Sequence, residues 1–282
     1  MATAILADIH SNLAALEAVM RDIERYGVDK IYCLGDIIGY GPRPTECLDI
    51  AEANFDRSIL GNHEEGVISK GFISKPHYFG NPVTYLLIKW TQEQILSDGN
   101  SEKYLKFLAG LERSFSEADI LFVHGSPDDL TYGYLKPEIV ESPEKLEKIF
   151  GLIQHVCFAG HTHRPGIIEQ GNSVFKRPEE LDTNETYKIT GKKVVVNPGS
   201  VGQPRDQDPR ASYVILYEDT CIFRRVDYDI ERTANEIERI DLSKTMQECV
   251  KEFDRKDKGL SFDDLVLENV PPFLAFRLRN GQ

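Results

Sequence analysis

Paired cysteines, membrane-length apolar stretches and an excess of basic charge are all missing from this sequence. The cysteines are few and scattered, never form a C-x-x-C pair, and number five: Cys33, Cys47, Cys157, Cys221 and Cys249. Cys33 and Cys157 lie inside apolar segments, which is typical of buried structural thiols. We therefore expect reduced cysteines without disulfide bonds.

No apolar stretch approaches the ~20 residues that a membrane-spanning helix needs. A secretory signal is not visible either, because the polar residues Asp8 and His10 follow the first methionine so closely. We predict a soluble, cytoplasmic protein that has no membrane partner.

Acidic residues outnumber basic ones, with 46 Asp and Glu against 33 Lys and Arg, for a net charge of −13. This balance disfavours charge-driven binding to duplex nucleic acid or anionic lipid, which needs clustered Lys and Arg. If the substrate is nevertheless an anion, something local must supply positive charge. Bound metal ions would do so.

The first third of the chain alternates between apolar strands and helical patterns, within a composition that is ordinary for a globular protein. Apolar segments at 2–8, 30–35 and 57–60 are separated by helices that begin near Asn12 and Arg43. This order predicts a parallel or mixed sheet with helices packed on its faces.

The alternation stops between Glu65 and Glu117, which we interpret as a helical insertion. It contains two helical patterns, Pro82–Leu96 and Glu102–Leu111, and several aromatic residues. Two uses of the insertion remain open: contact with the substrate, or an amphipathic pair that only enlarges the core.

The pattern resumes with a strand at Ile120–Val123, a helix at Ser142–Ile153 and a strand from His155 to Ala159. Later segments alternate with the two-residue period of strands and predict a second sheet. They span 166–170, 173–176, 187–190, 193–196, 212–217 and 221–228.

The C-terminal part is charged and helical from Ile230 to about Lys258, and the last segment carries the basic residues Arg277 and Arg279. We place the main domain at residues 1–229 and treat 230–282 as a helical extension and tail of the same unit. A homodimer formed through the last strands and the tail is an open alternative.

Five apolar strands end in a residue that can bind a metal: Asp8, Asp36, Asn62, His124 and His161. In open α/β sheets the ligand crevice lies at the carboxyl ends of the strands. We therefore expect these side chains to meet at one edge, helped by nearby glycines that permit tight turns.

The distribution of histidines supports the same site. Five of the seven histidines lie at these strand ends: His10, His63, His124, His161 and His163. We assign His77 and His155, which fall elsewhere, surface or packing roles.

The candidate ligands combine imidazole, carboxylate and amide groups, a mixture that suits borderline divalent ions. They are Asp8, His10, Asp36, Asn62, His124, His161 and His163. Seven ligands fit two ions better than one, and a carboxylate can bridge ions about 3.5–4 Å apart. We expect two divalent ions (Mn, Fe, Zn, Co or Ni), with Mn favoured.

The order of these motifs resembles that of the calcineurin-like metallophosphoesterase superfamily. The motifs are Asp8–His10 (D-x-H), Gly35–Gly41 (G-D-x-x-x-x-G), Gly61–Glu64 (G-N-H-E), His124–Gly125 (H-G) and Gly160–His163 (G-H-T-H). The likeness spans roughly the first two hundred residues. It is strongest to compact prokaryotic phosphodiesterases, which share the N-P-G-S-V-G-Q-P-R stretch at Asn197–Arg205.

The resemblance implies a four-layer α/β/β/α sandwich of two mixed sheets. It also implies that Asp8, His10, Asp36 and His163 hold one ion, and that Asp36, Asn62, His124 and His161 hold the other. Asp36, as the bridging carboxylate, and His63, as an acid that protonates the leaving group, are the implied catalytic residues. The role of His63 needs an imidazolium and a carboxylate that orients it.

One position departs from the family pattern. Many members have Asp after the histidine that corresponds to His63, whereas this chain has Glu64. Glu64 either repositions His63 or reaches the same partner. Arg205 is a candidate for contact with a substrate phosphate, and a salt bridge to Asp206 or Asp208 is the alternative.

The resemblance implies a phosphate-ester or nucleotide substrate, and we favour phosphodiesters. Phosphatases in this superfamily that act on monoesters usually carry extra arginines near the G-D and G-N-H motifs. Here Arg43 and Arg57 are the nearby arginines, and neither lies in a motif turn. A phosphomonoesterase or protein phosphatase, or a partner-binding scaffold without catalysis, remain the alternatives.

Overall fold

The computed structural model describes residues 1–69, 82–172, 174–181 and 185–240. The predictions for His77, Cys249, Ser173 and the segment 241–282, including Arg277 and Arg279, lie outside these described residues. No helix among the described residues is long and apolar enough to cross a membrane.

The strands are, in chain order, β1 (Ala2–Leu6), β2 (Lys30–Cys33), β3 (Arg57–Ser58), β4 (Ser114–Glu117), β5 (Ile120–Val123), β6 (Val156–Ala159), β7 (Gly166–Glu169), β8 (Phe175–Lys176), β9 (Thr186–Lys188), β10 (Val194–Asn197), β11 (Ala211–Tyr217) and β12 (Thr220–Val226). They form two six-stranded sheets, ordered β3-β2-β1-β11-β12-β9 and β4-β5-β6-β10-β7-β8. Each sheet mixes parallel and antiparallel pairs, because β1–β3 and β5, β6 and β10 run parallel while their other neighbours run antiparallel.

The α-helices are α1 (Leu13–Tyr26), α2 (Pro44–Asn54), α3 (Asn62–Ile68), α4 (Pro82–Ser97), α5 (Ser101–Ala109), α6 (Pro143–Leu152) and α7 (Ile230–Glu238). Local signals fix the ends of α1. The Asn12 side chain accepts a hydrogen bond from Ala15 N at its start, and Gly27 ends it in the left-handed conformation with φ 59°.

Three apolar layers hold the molecule together. Helices α1, α2, α4 and α5 pack on the outer face of the first sheet, and α6 packs on the outer face of the second. Between the sheets lies a layer that includes Ile5, Phe122, Phe158 and Val214. The predicted four-layer α/β/β/α sandwich is confirmed.

The later strands do not form the second sheet by themselves, contrary to what their order along the chain suggests. Strands β9, β11 and β12 join the first sheet, whereas β7, β8 and β10 join β4–β6 in the second. Strand β11 fits beside β1 because both are almost wholly buried, so each needs a neighbour on both sides. The predicted insertion is also too long at its end, since Ser114–Glu117 is edge strand β4.

Cys33, Cys47, Cys157 and Cys221 are buried free thiols, as predicted. His155 has the packing role expected of it, with ring nitrogens 2.8 Å from Asp119 Oδ2 and 2.6 Å from Thr190 O.

Helix α7 begins at Ile230 as predicted and lies against α1, but it ends at Glu238 rather than continuing toward Lys258. The Thr233 hydroxyl donates to Asn12 Oδ1 at 2.9 Å, and Arg232 contacts Glu17 at 2.7 Å. The start of the C-terminal segment therefore packs on the helix that follows the first motif.

Candidate metal centre

The carboxyl ends of β1, β2, β5 and β6 and the start of α3 bring all the candidate ligands to one edge of the sandwich. This strand-end cluster comprises Asp8, His10, Asp36, Asn62, His63, His124, His161 and His163, and each member exposes at most 8% of its surface. Burying this many ionisable groups is costly unless they are paired or bind metal. The sequence located every member, and the structure brings all of them together.

Much of the cluster stands on a strained backbone. Asp8, His10, Asp36, His161 and His163 all have left-handed φ angles, between 49° and 64°. Residues with a Cβ seldom adopt this conformation, which costs about 1–3 kcal/mol each and concentrates at functional sites. Turning off each strand in this way directs the side chains into a common space.

Glycines allow the motif turns to approach one another. A Cβ on Gly61 would overlap Asp36 Oδ1, and a Cβ on Gly39, which has a φ of 92°, would overlap the His63 ring. Any larger residue at either position would push apart the second and third motifs.

One group within the cluster is formed by Asp8, His10 and His163. His10 Nε2 lies 3.1 Å from His163 Nε2, and Asp8 Oδ1 lies 3.3 Å from the same His163 atom. The Nδ1 atoms of His10 and His163 contact the carbonyl oxygens of Ile38 and Gln203, at 3.3 and 2.6 Å. Because carbonyls only accept, each Nδ1 is the donor, and the two Nε2 atoms face each other.

The second group surrounds His124. Its Nε2 lies 3.0 Å from Asn62 Oδ1, 3.0 Å from His161 Nδ1 and 3.4 Å from Asp36 Oδ2. The opposite nitrogen, Nδ1, lies 2.8 Å from the carbonyl oxygen of Leu34, which fixes the ring.

Asp36 lies between the two groups. Its Oδ2 is 3.7 Å from His10 Nε2, 3.4 Å from His124 Nε2 and 3.9 Å from His63 Nε2. Its Oδ1 accepts a hydrogen bond from His63 N at 2.9 Å. A carboxylate in this position faces both sets of nitrogen ligands.

The electrostatics of the cluster reflect crowding of buried groups. Burial would raise the pKa of Asp36, but His124 and His63 outweigh this and hold it well below its usual value. Burial likewise opposes a charge on His124, yet Asp36 raises its pKa to about 9. Burial and neighbouring histidines lower the pKa of His10 and His161 well below the usual value.

These residues fit a bound cation. Asp8 Oδ1 and His161 Nε2 are buried without a hydrogen-bond partner in the described part of the chain. Buried polar atoms of native proteins nearly always have a partner, so these two orphaned polar atoms need an explanation. The facing Nε2 atoms of His10 and His163, 3.1 Å apart, could both serve as ligands of such a cation. Divalent ions could be held at both groups.

Glu64 acts on the backbone rather than on His63. Its carboxylate accepts hydrogen bonds from Asp36 N at 2.7 Å, Gly61 N at 2.9 Å and Ile38 N at 3.1 Å. Three backbone donors therefore occupy the two oxygens of this carboxylate. The extra methylene lets it tie the second motif to the third.

His63 is buried beside Asp36 and Tyr40. Its Nδ1 has no hydrogen-bond partner among the residues described, and burial lowers its pKa to about 4. The nearest carboxylate oxygen is Asp36 Oδ2, at 3.9 Å from Nε2.

Arg205 lies next to the cluster and does not form the salt bridge considered as its alternative role. Its backbone N–H donates to His163 O at 3.2 Å, and its guanidinium donates to Gln203 Oε1 at 2.7 Å. Asp206 pairs with Arg225, and Asp208 pairs with Arg210.

Two tyrosines flank the cluster. The Tyr40 ring packs on His10 and His63, with centroid distances of 4.7 and 4.5 Å, and its hydroxyl lies 3.4 Å from Thr84 of the insertion. The Tyr134 ring lies 4.0 Å from His161 and is half exposed. The sequence analysis missed Tyr134, since no motif or spacing in the long loop after β5 marks it.

Known proteins show the same combination of sequence and fold. The model of the calcineurin-like phosphoesterase superfamily domain matches residues 1–220. The chain belongs to this superfamily. As a member, it is a metallophosphoesterase of a group that uses divalent metals and hydrolyses phosphoric esters.

Among its relatives is an uncharacterized protein of Methanocaldococcus jannaschii, 37% identical over 243 residues that cover 83% of this chain and 90% of the relative. A metallophosphoesterase from Sphaerobacter thermophilus is 34% identical with a TM-score of 0.70, over 84% of this chain and 93% of its own. A hypothetical protein from Pyrococcus horikoshii OT3, at 22% identity and a TM-score of 0.62, covers 89% of this chain and 96% of its own and shares the fold.

Proposed function

We propose that this metallophosphoesterase hydrolyses phosphodiesters or nucleotide-type esters with two divalent ions held by the strand-end cluster. One observation carries the proposal: Asp36 faces His10 at 3.7 Å on one side and His124 at 3.4 Å on the other. A single carboxylate between two nitrogen-rich groups is what a dinuclear site requires.

Each ion has its own ligands in this proposal. Asp8, His10 and His163 would hold the first, Asn62, His124 and His161 would hold the second, and both would share Asp36. When bound, the ions supply Lewis acidity and lower the pKa of water, which is the chemistry of two-metal hydrolases. Mixed nitrogen and oxygen ligands suit borderline divalent ions (Mn, Fe, Zn, Co or Ni), among which Mn is our preferred metal.

We assign His63 to the leaving group. It lies beside Asp36, and the Tyr40 ring packs on its face at 4.5 Å, so the imidazole has little freedom to turn. Burial lowers the pKa of His63 to about 4 and so favours the neutral ring, whose N–H can donate a hydrogen bond to the ester oxygen that departs.

We assign Arg205 to a non-bridging phosphate oxygen. Its guanidinium extends from the loop next to His163 and is exposed, with Gln203 as a lateral support. An arginine in this position contributes positive charge that the acidic chain as a whole does not.

The preference for diesters rests on where the other arginines lie. Arg43 is paired with Glu46 at 3.1 Å and with Glu236 at 3.2 Å. Arg57 stacks on the Phe115 ring, 4.8 Å from its centroid. Neither is placed to grip the second negative charge of a monoester, so a monoanionic diester fits better.

Hydrolysis of a chromogenic diester and its matched monoester by chelator-stripped protein tests the proposal. We expect little turnover without metal, recovery on addition of Mn²⁺, and a higher kcat/KM for the diester. Faster hydrolysis of the monoester would replace the diester assignment with a phosphomonoesterase. Metal binding without turnover of either ester would favour a scaffold.

A further inference from the structure

A cavity of about 190 Å³ opens directly beside His10. It lies between the Tyr40–Gly41 turn, the loop that contains Gly202 and Pro204, and helix α7. The cavity therefore adjoins the strand-end cluster at His10.

The walls of this cavity are mostly apolar. Tyr228, Pro204, Pro209 and Ile237 contribute to them. A concave apolar pocket with few polar groups is the usual form of a small-molecule subsite.

Two polar side chains that line the cavity, those of Asn12 and Thr233, already have hydrogen-bond partners. Asn12 Oδ1 accepts from Ala15 N at 3.2 Å and from Thr233 Oγ1 at 2.9 Å, and its Nδ2 donates to Gly202 O at 2.9 Å. These groups serve to attach α7 and the 202–204 loop to α1. They leave little for a polar ligand to pair with.

One donor is left over. Gln203, which also lines the cavity, has its Nε2 buried without a hydrogen-bond partner among the described residues. Its Oε1 accepts from Arg205 at 2.7 Å. An occupant with one acceptor near this loop would satisfy the Nε2 donor, since unpaired buried donors are costly.

The cavity adjoins the strand-end cluster through His10 and Tyr40. His10 belongs to both, and Tyr40 lines the cavity while packing on His10 and His63. Arg205, which we assign to the phosphate, is held by the same Gln203 that lines the cavity. A group attached to a phosphate bound at the cluster would therefore lie near the cavity.

We propose that this cavity is a specificity subsite that binds a planar aromatic substituent of the phosphate ester. The proposal rests on the proposed function and adds to it a substrate class, aromatic rather than alkyl esters. An apolar cavity of roughly 150 Å³ can hold benzene, so this one has room for a single substituted ring. The apolar walls favour an aromatic ring because its binding buries apolar area. The Nε2 donor of Gln203 favours a ring that carries one hydrogen-bond acceptor.

Binding of phenylphosphonate and methylphosphonate to the full-length, Mn²⁺-loaded protein, measured by calorimetry, tests the subsite without requiring turnover. Both ligands carry the same anionic head and differ only in the substituent. We expect phenylphosphonate to bind at least about tenfold more tightly, as large differences in apolar contact give in pockets of this kind.

Two substitutions on α7 provide a matched pair. Ala234 lines the cavity and Asn235 does not, and both are exposed. Ala234→Phe should fill the cavity and reduce the phenyl-to-methyl preference about tenfold, whereas Asn235→Phe should leave it unchanged. Ile237→Ala, which removes part of the wall, should weaken the preference as well. Unfolding transitions like those of the original protein would show that the variants fold.

The outcomes separate the subsite from the hydrolytic function. Equal binding of the two phosphonates, binding of neither, or an unchanged preference in Ala234→Phe would overturn the subsite. Turnover of diesters without an aromatic preference would leave the proposed function standing and remove the subsite alone. An aromatic preference in binding without turnover of any ester would keep the subsite and remove the hydrolytic function.

Discussion

Strand β1 contributes Ile5 to the apolar layer between the sheets and, three residues later, Asp8 to the strand-end cluster. In the same way, strand β6 contributes Phe158 to this layer, and His161, just after the end of the strand, belongs to the cluster. Ile5 and Phe158 are fully buried and pack against other apolar side chains. Asp8 and His161 are also buried, but their backbones are left-handed and each has a polar atom without a hydrogen-bond partner among the described residues.

The difference shows how this fold divides its tasks. The layer between the sheets contributes stability, because burying apolar area is favourable and leaves nothing unsatisfied. The strained backbone and buried charges of the cluster lower the stability of the fold, which is typical of functional sites. Changes to the layer should therefore alter unfolding, and changes to the cluster should alter metal binding and turnover.

Asp36→Asn should have the largest effect. Asn keeps the oxygen that accepts from His63 N, but the charge that faces His10, His63 and His124 is lost. We expect turnover to fall by about 10⁴-fold or more, as for other catalytic carboxylates, together with loss of metal. Metal analysis alongside diester hydrolysis measures both. Original metal content and turnover in the variant would contradict the bridging role.

His63→Ala should come next, with turnover falling about 10²- to 10⁴-fold. Metal content should stay near that of the original protein, because the proposed ligands are untouched. Turnover and metal analysis of the same sample separate the two effects. If the variant lost metal as well, His63 would have to be counted among the ligands.

Phe158→Ala tests the layer between the sheets. The ring stacks on Phe122 with centroids 5.5 Å apart and is fully buried. We expect the free energy of unfolding to fall by about 3–5 kcal/mol, measured by denaturant titration, while the folded variant still binds metal. Phe158→Leu should show a smaller loss. A Phe158→Ala variant that kept its stability but lost metal would contradict the view that the layer sets stability and the cluster sets metal binding.

Glu64→Gln should have the smallest effect. Gln retains one acceptor oxygen and places an NH₂ group toward a backbone donor, so one of the bonds from Asp36, Gly61 and Ile38 is lost. We expect a decrease of about 1–3 kcal/mol in the free energy of unfolding, again from denaturant titration. Glu147→Gln, an exposed change on α6, serves as the control. Equal stability of the two variants would show that the hydrogen bonds of Glu64 do not stabilise the contact between the second and third motifs.

The members of the strand-end cluster could be predicted from the sequence alone. The chemistry of metal binding limits the residue types, and the ends of the strands limit their positions. It located Asp8, Asp36 and His124 at strand ends without any structural information. Strand positions such as Ile120–Val123 also followed directly, since four apolar residues between polar flanks leave little alternative.

Other features depend on contacts between distant segments, which periodicity does not record. Nothing in the pattern of β11 shows that it pairs with β1. The hydrogen bonds of Glu64 to the second motif, and the left-handed backbone of Asp36, arise from the approach of two turns. The cavity beside His10 likewise forms only when α7 docks on α1.

Titration of the metal-free protein with Mn²⁺, followed by metal analysis and electron paramagnetic resonance, would decide whether the cluster is a dinuclear centre bridged by Asp36. The account predicts two ions per chain with the spectrum of a spin-coupled pair, reduced in Asp36→Asn. A single uncoupled ion per chain, or a coupled pair that persists in Asp36→Asn, would contradict it.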